Sequence, residues 1–257
     1  MSTDFTEVTE VSGDQVSREQ IQRMFTRYYF AKKHCEKKDV LELGCGAGQG
    51  LGLLEKVANK LIGGDYSEPL LSMARQHYND RIPLVRLDAQ VLPFKSQIFD
   101  VVVLYEAIYY LEEPEFFANE CSRILRPRGK IILCNPNKNL HDFNPSPHSY
   151  SYFSPCDFGN LLSPIGFNVK CFGDCKVDYS SYKQRFISTV KKTMVKFDLI
   201  PKTMSGKKFL KRLVFGKLVQ LPAELTDEMD YCQLPCAIDN SSVDIDHKVI
   251  FAVASRG

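Results

Sequence analysis

The sequence predicts an α/β fold, an open and mostly parallel sheet with helices on both faces, and three observations predict it. Val40, Leu41 and Leu43 form a short apolar run, as expected of a strand buried on both faces. That run breaks into alternating glycines, Gly44, Gly46 and Gly48, and a helical stripe of Leu51, Leu54 and Val57 follows at once. Apolar runs and helical stripes then alternate along most of the chain, as in a sheet built from βαβ units.

Each element has its own signal. Met1 to Val16 is polar and is expected to be a mobile lead. Ser17-Arg-Glu-Gln20 has the form of a capping box, and Ile21, Met24, Phe25 and Tyr28 recur at helical spacing, so a helix precedes the sheet. A second strand, Leu61 to Gly64, leads into Asp65, and Ser67-Glu-Pro-Leu70 opens a helix striped by Leu70, Met73, Ala74 and His77. Pro83 to Ala89 and Phe99 to Tyr105 supply two more strands, with Asp100 read as structural. Phe117, Cys121, Ile124 and Leu125 mark the next helix, and Lys130 to Cys134 the fifth strand. Phe158, Leu161, Leu162 and Ile165 form a helix capped by Ser154 and ended at Gly166. Strands near Phe167–Phe172 and Lys248–Ala254 close the series.

In such a sheet the crevice beyond the strand carboxyl ends is the usual ligand site. A dinucleotide fingerprint requires Gly or Ala five residues after Gly44, and Gln49 stands there, so that match fails. Asp65, 21 residues after Gly44, is a strand-end carboxylate able to accept from both ribose hydroxyls of a nucleotide-type cofactor. Glu42, two places before the first glycine of G-x-G-x-G, together with Asp65, Asp88-Ala89 and the run Phe99–Tyr105, resembles the class I S-adenosylmethionine (SAM) methyltransferases of the type 11 group, small-molecule enzymes of the UbiE kind. The resemblance covers roughly Asp39 to Val177. It implies a Rossmann-like sheet of seven strands in the order 3-2-1-4-5-7-6, the last strand antiparallel, with SAM as methyl donor and S-adenosylhomocysteine as product. By the same resemblance Asp88 accepts from the adenine amino group and the Ala89 N–H meets a ring nitrogen. Tyr66 and Tyr105 join the cofactor set, and Tyr29, beside Tyr28, reaches for the methionine carboxylate. Arg126-Pro-Arg128-Gly129 resembles the family's turn before strand five, with Arg128 where the family often has glycine.

Composition excludes several classes. With 257 residues, 44% hydrophobic and 25% charged, the chain has enough apolar material for one full core. A formal net charge of +2 selects no partner. No apolar run approaches a membrane span, and the N-terminus lacks the features of a signal peptide, so a cytoplasmic protein is expected. Nine cysteines, including Cys45 and Cys134 in apolar segments, fit reduced thiols better than a disulfide framework. Cys171-x3-Cys175 and Cys232-x3-Cys236 have zinc-ligand spacing but no knuckle-like turn sequence, and no metal is expected.

The single domain expected over 17–257 carries an insertion at about 183–235. Residues 183–217 hold eleven Lys or Arg against Asp198, while 218–247 hold seven acids and no Lys or Arg. Stripes of Ile187, Val190, Met194 and Phe197 and of Leu210, Leu213, Val214 and Leu218, broken at Ile200-Pro201, make it a helical cap. One reading packs the stripes on the sheet edge, leaves the lysines solvated and lets the acidic stretch neutralise them. The other turns the basic surface to the crevice, where it attracts an anionic acceptor such as a phosphorylated or nucleotide-linked sugar. Such a surface also suits nucleic acid or a membrane, but no aromatic-interleaved RNA-binding motif accompanies it.

Acceptor residues are expected in two loops. After strand four, Glu106, Tyr109 and Tyr110 follow Tyr105, and after strand five come His141, Asn144, His148 and Tyr150. His148 is the first candidate for a general base and Glu106 the second, with Tyr109, Tyr110, His141, Asn144 and Tyr150 as substrate contacts. His34 and His77 fall on helices away from the crevice. Three function classes follow: a methyltransferase of a small polar acceptor, with O-methylation favoured; an RNA or protein methyltransferase docking through the basic insertion; and a SAM-binding regulator without an acceptor pocket.

Overall fold

The computed structural model describes residues 5–177, 218–228 and 233–257. In chain order its strands are Gln15–Val16 (β1), Asp39–Leu43 (β2), Lys60–Asp65 (β3), Leu84–Arg86 (β4), Phe99–Tyr105 (β5), Leu125–Pro136 (β6), Phe167–Lys176 (β7), Val219–Gln220 (β8), Cys236–Ile238 (β9) and His247–Arg256 (β10). Its α-helices are Arg18–Cys35 (α1), Leu51–Glu55 (α2), Glu68–Tyr78 (α3), Pro114–Ile124 (α4) and Pro155–Leu162 (α5). The main sheet runs β4-β3-β2-β5-β6-β10-β7-β9, with β10 antiparallel to both neighbours. Seven strands were expected and eight are present, because β9 pairs with β7 through Cys171 to Gly173. β9 is three residues long, too short to carry a period-two pattern.

Strand alternation divides the core in two. Leu41, Leu43, Val102, Leu104, Ile131, Leu133 and Ile250 pack beneath α4 and α5 through Phe117, Ile124 and Phe158. Val40, Val101, Val103, Tyr105, Ile132 and Phe251 face the other way, onto Phe25 and Phe30 of α1 and Leu51 and Leu54 of α2. This two-sided burial explains why the parallel strands read as continuous apolar runs.

The ends of the helices follow the sequence signals. Ser17 and Gln20 form the expected capping box at the start of α1, and Ser154 and Asp157 form another at α5. Gly166 takes φ +90 after the short 3-10 turn Ser163–Ile165. Arg128 sits in the strand-six turn at φ +63, the left-handed conformation that glycine adopts without strain.

The N-terminal lead differs from expectation. From Phe5 onward it follows a defined path, because β1 pairs with β8 (Gln15 with Gln220, Val16 with Val219) and Gly13 N–H donates to Leu221 O at 2.9 Å. Residues 178–217 and 229–232, which include every residue of the two apolar stripes but Leu218, lie outside the described residues. Two described acids of the insertion pair with the core: Glu224 meets Arg81 and His77, and Asp227 meets Lys32 and Lys56.

Candidate active site

At the carboxyl ends of β2, β3 and β5 lies a cleft of about 860 Å³, toward the upper end of the range for small-molecule sites. Its floor is the glycine loop. Gly44, Gly46 and Gly48 take φ of +64, +57 and +87. A Cβ on Gly44 would stand 2.8 Å from the Ala107 Cβ, and one on Gly48 2.8 Å from the Tyr78 ring, so both conformation and space demand glycine. Gly48 itself packs toward α3 and does not line the cleft, while Gly44, Cys45 and Gly46 do.

Asp65 closes one side of the loop. Gly46 N–H donates to its Oδ2 at 2.7 Å and Ser67 N–H to its Oδ1 at 2.8 Å, which leaves further lone pairs on each oxygen. Burial raises its pKa against the pull of these N–H groups. Tyr66, Asp88 and Ala89 line the same wall, and Asp88 is oriented by the Gln90 N–H at 2.8 Å.

Glu42 lies under the loop, 1% exposed, and is not in the cleft wall. The Tyr28 hydroxyl donates to its Oε1 at 2.6 Å, and Oε2 has no hydrogen-bond partner among the described residues. Burial pushes the Glu42 carboxyl up to about 7, the Tyr28 hydrogen bond working the other way. Tyr28, not Tyr29, lines the cleft, and the Tyr29 ring stacks on Phe25 at 5.8 Å. The same helical stripe that marks Tyr28 as core thus also carries it to the cleft edge.

Sequence reasoning missed Arg27. It is the one Lys or Arg among the cleft-lining residues described, against Glu10, Asp65, Asp88, Glu106 and Glu112. Its guanidinium stands 2.6 Å from Glu106 Oε1. Burial works against its charge, and Glu106 with other neighbours outweighs this, so its pKa is raised. The signal was a lone arginine three places after Met24 on an apolar stripe. Glu106 takes φ +52, and the Tyr109 hydroxyl donates to its Oε2 at 3.1 Å.

An aromatic wall follows. Tyr109 stacks on Tyr152, centroids 4.3 Å apart, and Tyr110 meets Ser146 Oγ at 2.6 Å. Phe5 lies edge-on to both Tyr110 and Tyr66, at 5.2 and 6.1 Å. His148, at φ +65, and Tyr150 stand at the rim, and Tyr105 donates to Arg27 O at 3.0 Å. His141 and Asn144 are exposed and do not line the cleft, because the proline-rich turns between Asn144 and His148 carry only the later residues back to it. Phe5, Val8, Thr9 and Glu10 cover the opening, held by Gln49 Nε2 donating to Glu10 O at 3.1 Å.

Residues 41–133 match the family model described as "Methyltransferase domain", of the type 11 group. A Probable S-adenosylmethionine-dependent methyltransferase of Mycolicibacterium smegmatis is 33% identical over 142 residues, 53% of this chain and 54% of the relative. Over this stretch the chain is similar to SAM-dependent methyltransferases. A demethylmenaquinone methyltransferase of Clavibacter sepedonicus is 30% identical over 121 residues, 46% of this chain and 49% of the relative. The chain thus spans about half the length of these curated relatives. A solved SAM-dependent methyltransferase from Archaeoglobus fulgidus superposes with TM-score 0.58 over 93% of this chain and 95% of that one, at 16% identity, and shares the methyltransferase fold. The glycine loop at the cleft floor, where Cβ atoms would not fit, suits the close approach of SAM, the cofactor in the relative's name.

Proposed function

We propose that this chain moves a methyl group from SAM to a small, neutral acceptor with a planar ring, by O-methylation. The observation that carries this reading is the aromatic wall of Tyr109, Tyr110 and Tyr150, continuing past the cofactor residues in the same cleft. Aromatic faces favour flat apolar ligands, and tyrosine hydroxyls orient a polar edge. Among the described lining residues, five carboxylates stand against one arginine, which the carboxylate end of SAM would take, so an anionic acceptor has little to bind. The charge of the cleft therefore supports a neutral acceptor over the anionic one suggested by the basic insertion. The name of one relative, demethylmenaquinone methyltransferase, gives a small molecule as its acceptor, which agrees with this reading.

When bound, SAM supplies a methyl group on a positively charged sulfur. The chain's share is to hold and align. Asp65 would accept from ribose hydroxyls, Asp88 would accept from and Ala89 donate to the adenine edge, and Arg27 would offer a cation for the carboxylate end. Alignment in a dry cleft supplies most of the rate, since charge is lost from sulfur as the methyl moves. His148 at the rim takes the proton from the acceptor hydroxyl. Glu106, engaged by Arg27 and Tyr109, orients instead.

The cover formed by Phe5 to Glu10 counts against docking of RNA or a folded protein, which needs an open face. The continuation of the cleft beyond the cofactor residues counts against a regulator without an acceptor site. The test is transfer of labelled methyl from SAM into fractionated small molecules, RNA and protein of a cell extract. Label in a neutral aromatic metabolite supports the reading, and label confined to RNA or protein overturns it.

A further inference from the structure

A second cluster lies far from the glycine loop, at the sheet edge. His247 begins β10 and Cys236 begins β9, both beside Gly173 of β7. The His247 Nδ1 stands 2.8 Å from Asp244 Oδ2, and its Nε2 stands 3.4 Å from Cys236 Sγ. A carboxylate only accepts, so the contact to Asp244 puts the proton on Nδ1 and leaves Nε2 as an acceptor facing the thiol. Asp244 is itself fixed: its Oδ1 accepts from the His247 N–H at 2.9 Å and from Asn137 Nδ2 at 3.1 Å. His247 is 8% exposed, while Cys236 is exposed. The thiol's other partner, Gly173 O at 3.7 Å, is a weaker acceptor at longer range.

Nucleophile, base and base-orienting carboxylate in this sequence are what activates a thiol. None of the three belongs to the cleft, and the sheet has no structural need for a buried imidazole aimed at an exposed sulfur. We propose that Cys236 is a covalent modification site, a thiol activated by the His247–Asp244 pair that exchanges with small disulfides. His247 Nε2 takes the thiol proton, and the Cys236 sulfur attacks one sulfur of the disulfide. A new S–S bond forms as the old one breaks, and the departing thiolate takes the proton from the imidazolium. The Cys236 sulfur rises to the disulfide level, the departing sulfur falls to a thiol, and the sulfur that stays bound keeps its oxidation level.

Among the described residues, the ionisable groups adjoining His247 in chain or ladder are Asp174, Cys175 and Lys176 on β7, Asp246 in the preceding loop and Lys248 on β10. Cys156 of α5 is an internal reference, since it is also exposed but meets the Asn160 amide at 3.6 Å rather than an imidazole. The intact chain is treated with limiting 2,2′-dithiodipyridine from about pH 5 to about pH 8, and peptide mapping reads each cysteine. Cys236 is expected to react about 10-fold or more faster than Cys156, because the imidazole receives its proton as the sulfur attacks. In His247→Gln and Asp244→Asn its rate falls toward that of Cys156 and its pH profile changes. Equal rates at the two cysteines in the unaltered chain, or a Cys236 profile unchanged by His247→Gln, overturn the proposal. The wild-type comparison decides even if a variant folds poorly.

Discussion

Arg27 on the first helix and Glu106 at the end of β5 meet at 2.6 Å beneath the aromatic wall, which ties the helix that precedes the sheet to the loop that follows its central strand. The pair is largely enclosed, with side chains 16% and 22% exposed. Removing one member leaves the other charge poorly solvated. Arg27→Met is expected to lower stability by about 2 kcal/mol and to weaken SAM binding about 10-fold or more. In a double-mutant cycle with Glu106→Gln the stability losses should fall short of additive by about 1 kcal/mol. Additive losses in chemical denaturation would mean that the contact contributes nothing.

Asp65 receives two backbone N–H groups and stands beside the glycine loop. Asp65→Ala should weaken SAM binding by about 2 kcal/mol or more, since charge-assisted hydrogen bonds are lost. Calorimetry with S-adenosylhomocysteine measures this, and unchanged affinity rejects the ribose role.

Glu42 gives the protein a pH dependence. Burial moves its carboxyl from an ordinary 4.5 to about 7. Between those values the folded chain holds more protons than the unfolded one, so stability is full below about 4.5 and declines as pH rises through about 7. The loss is on the order of 3 kcal/mol. Glu42→Gln, uncharged at every pH, should flatten this part of the profile in urea titrations. An identical slope in the variant excludes Glu42 as the source.

His148→Ala separates binding from turnover. With the base gone, methyl transfer should fall about 100-fold or more, while the affinity for S-adenosylhomocysteine stays within about twofold, because the cofactor residues named above do not include His148. Wild-type turnover removes His148 from the mechanism.

Arg128→Gly should stabilise the chain by about 1 kcal/mol, since a left-handed residue loses its Cβ. Thermal unfolding reads this directly, and a lower melting point would show that the arginine side chain outweighs the backbone cost.

The sheet and the cofactor wall were legible because both write themselves locally. A doubly buried strand needs an apolar run, and a backbone that turns under a ligand needs glycine, so Val40 to Gly48 carries its meaning within nine positions. Asp65 was placed by its position at a strand end, and Asp88 by the resemblance. The cover over the cleft was not legible, because β1 is two residues long and its partner is two residues near position 220. Periodicity marked Tyr28 as core but had no means of saying that this face of α1 also borders a ligand, so Tyr29 was chosen in its place. Arg27 was passed over for a related reason: its charge acquires a role only through Glu106, on another element. His141 and Asn144 share a polar loop with His148, and which residues of such a loop turn inward depends on its tertiary contacts.

The ladder joining Gln15–Val16 to Val219–Gln220 also sets a timetable for the growing polypeptide. Emerging from the ribosome, the chain completes its first strands and helices long before the partner of β1 has been made. Roofing of the cleft therefore comes late, after a closure of roughly 200 residues that entropy makes slow. A nascent chain halted before that point would have the glycine floor without its ceiling.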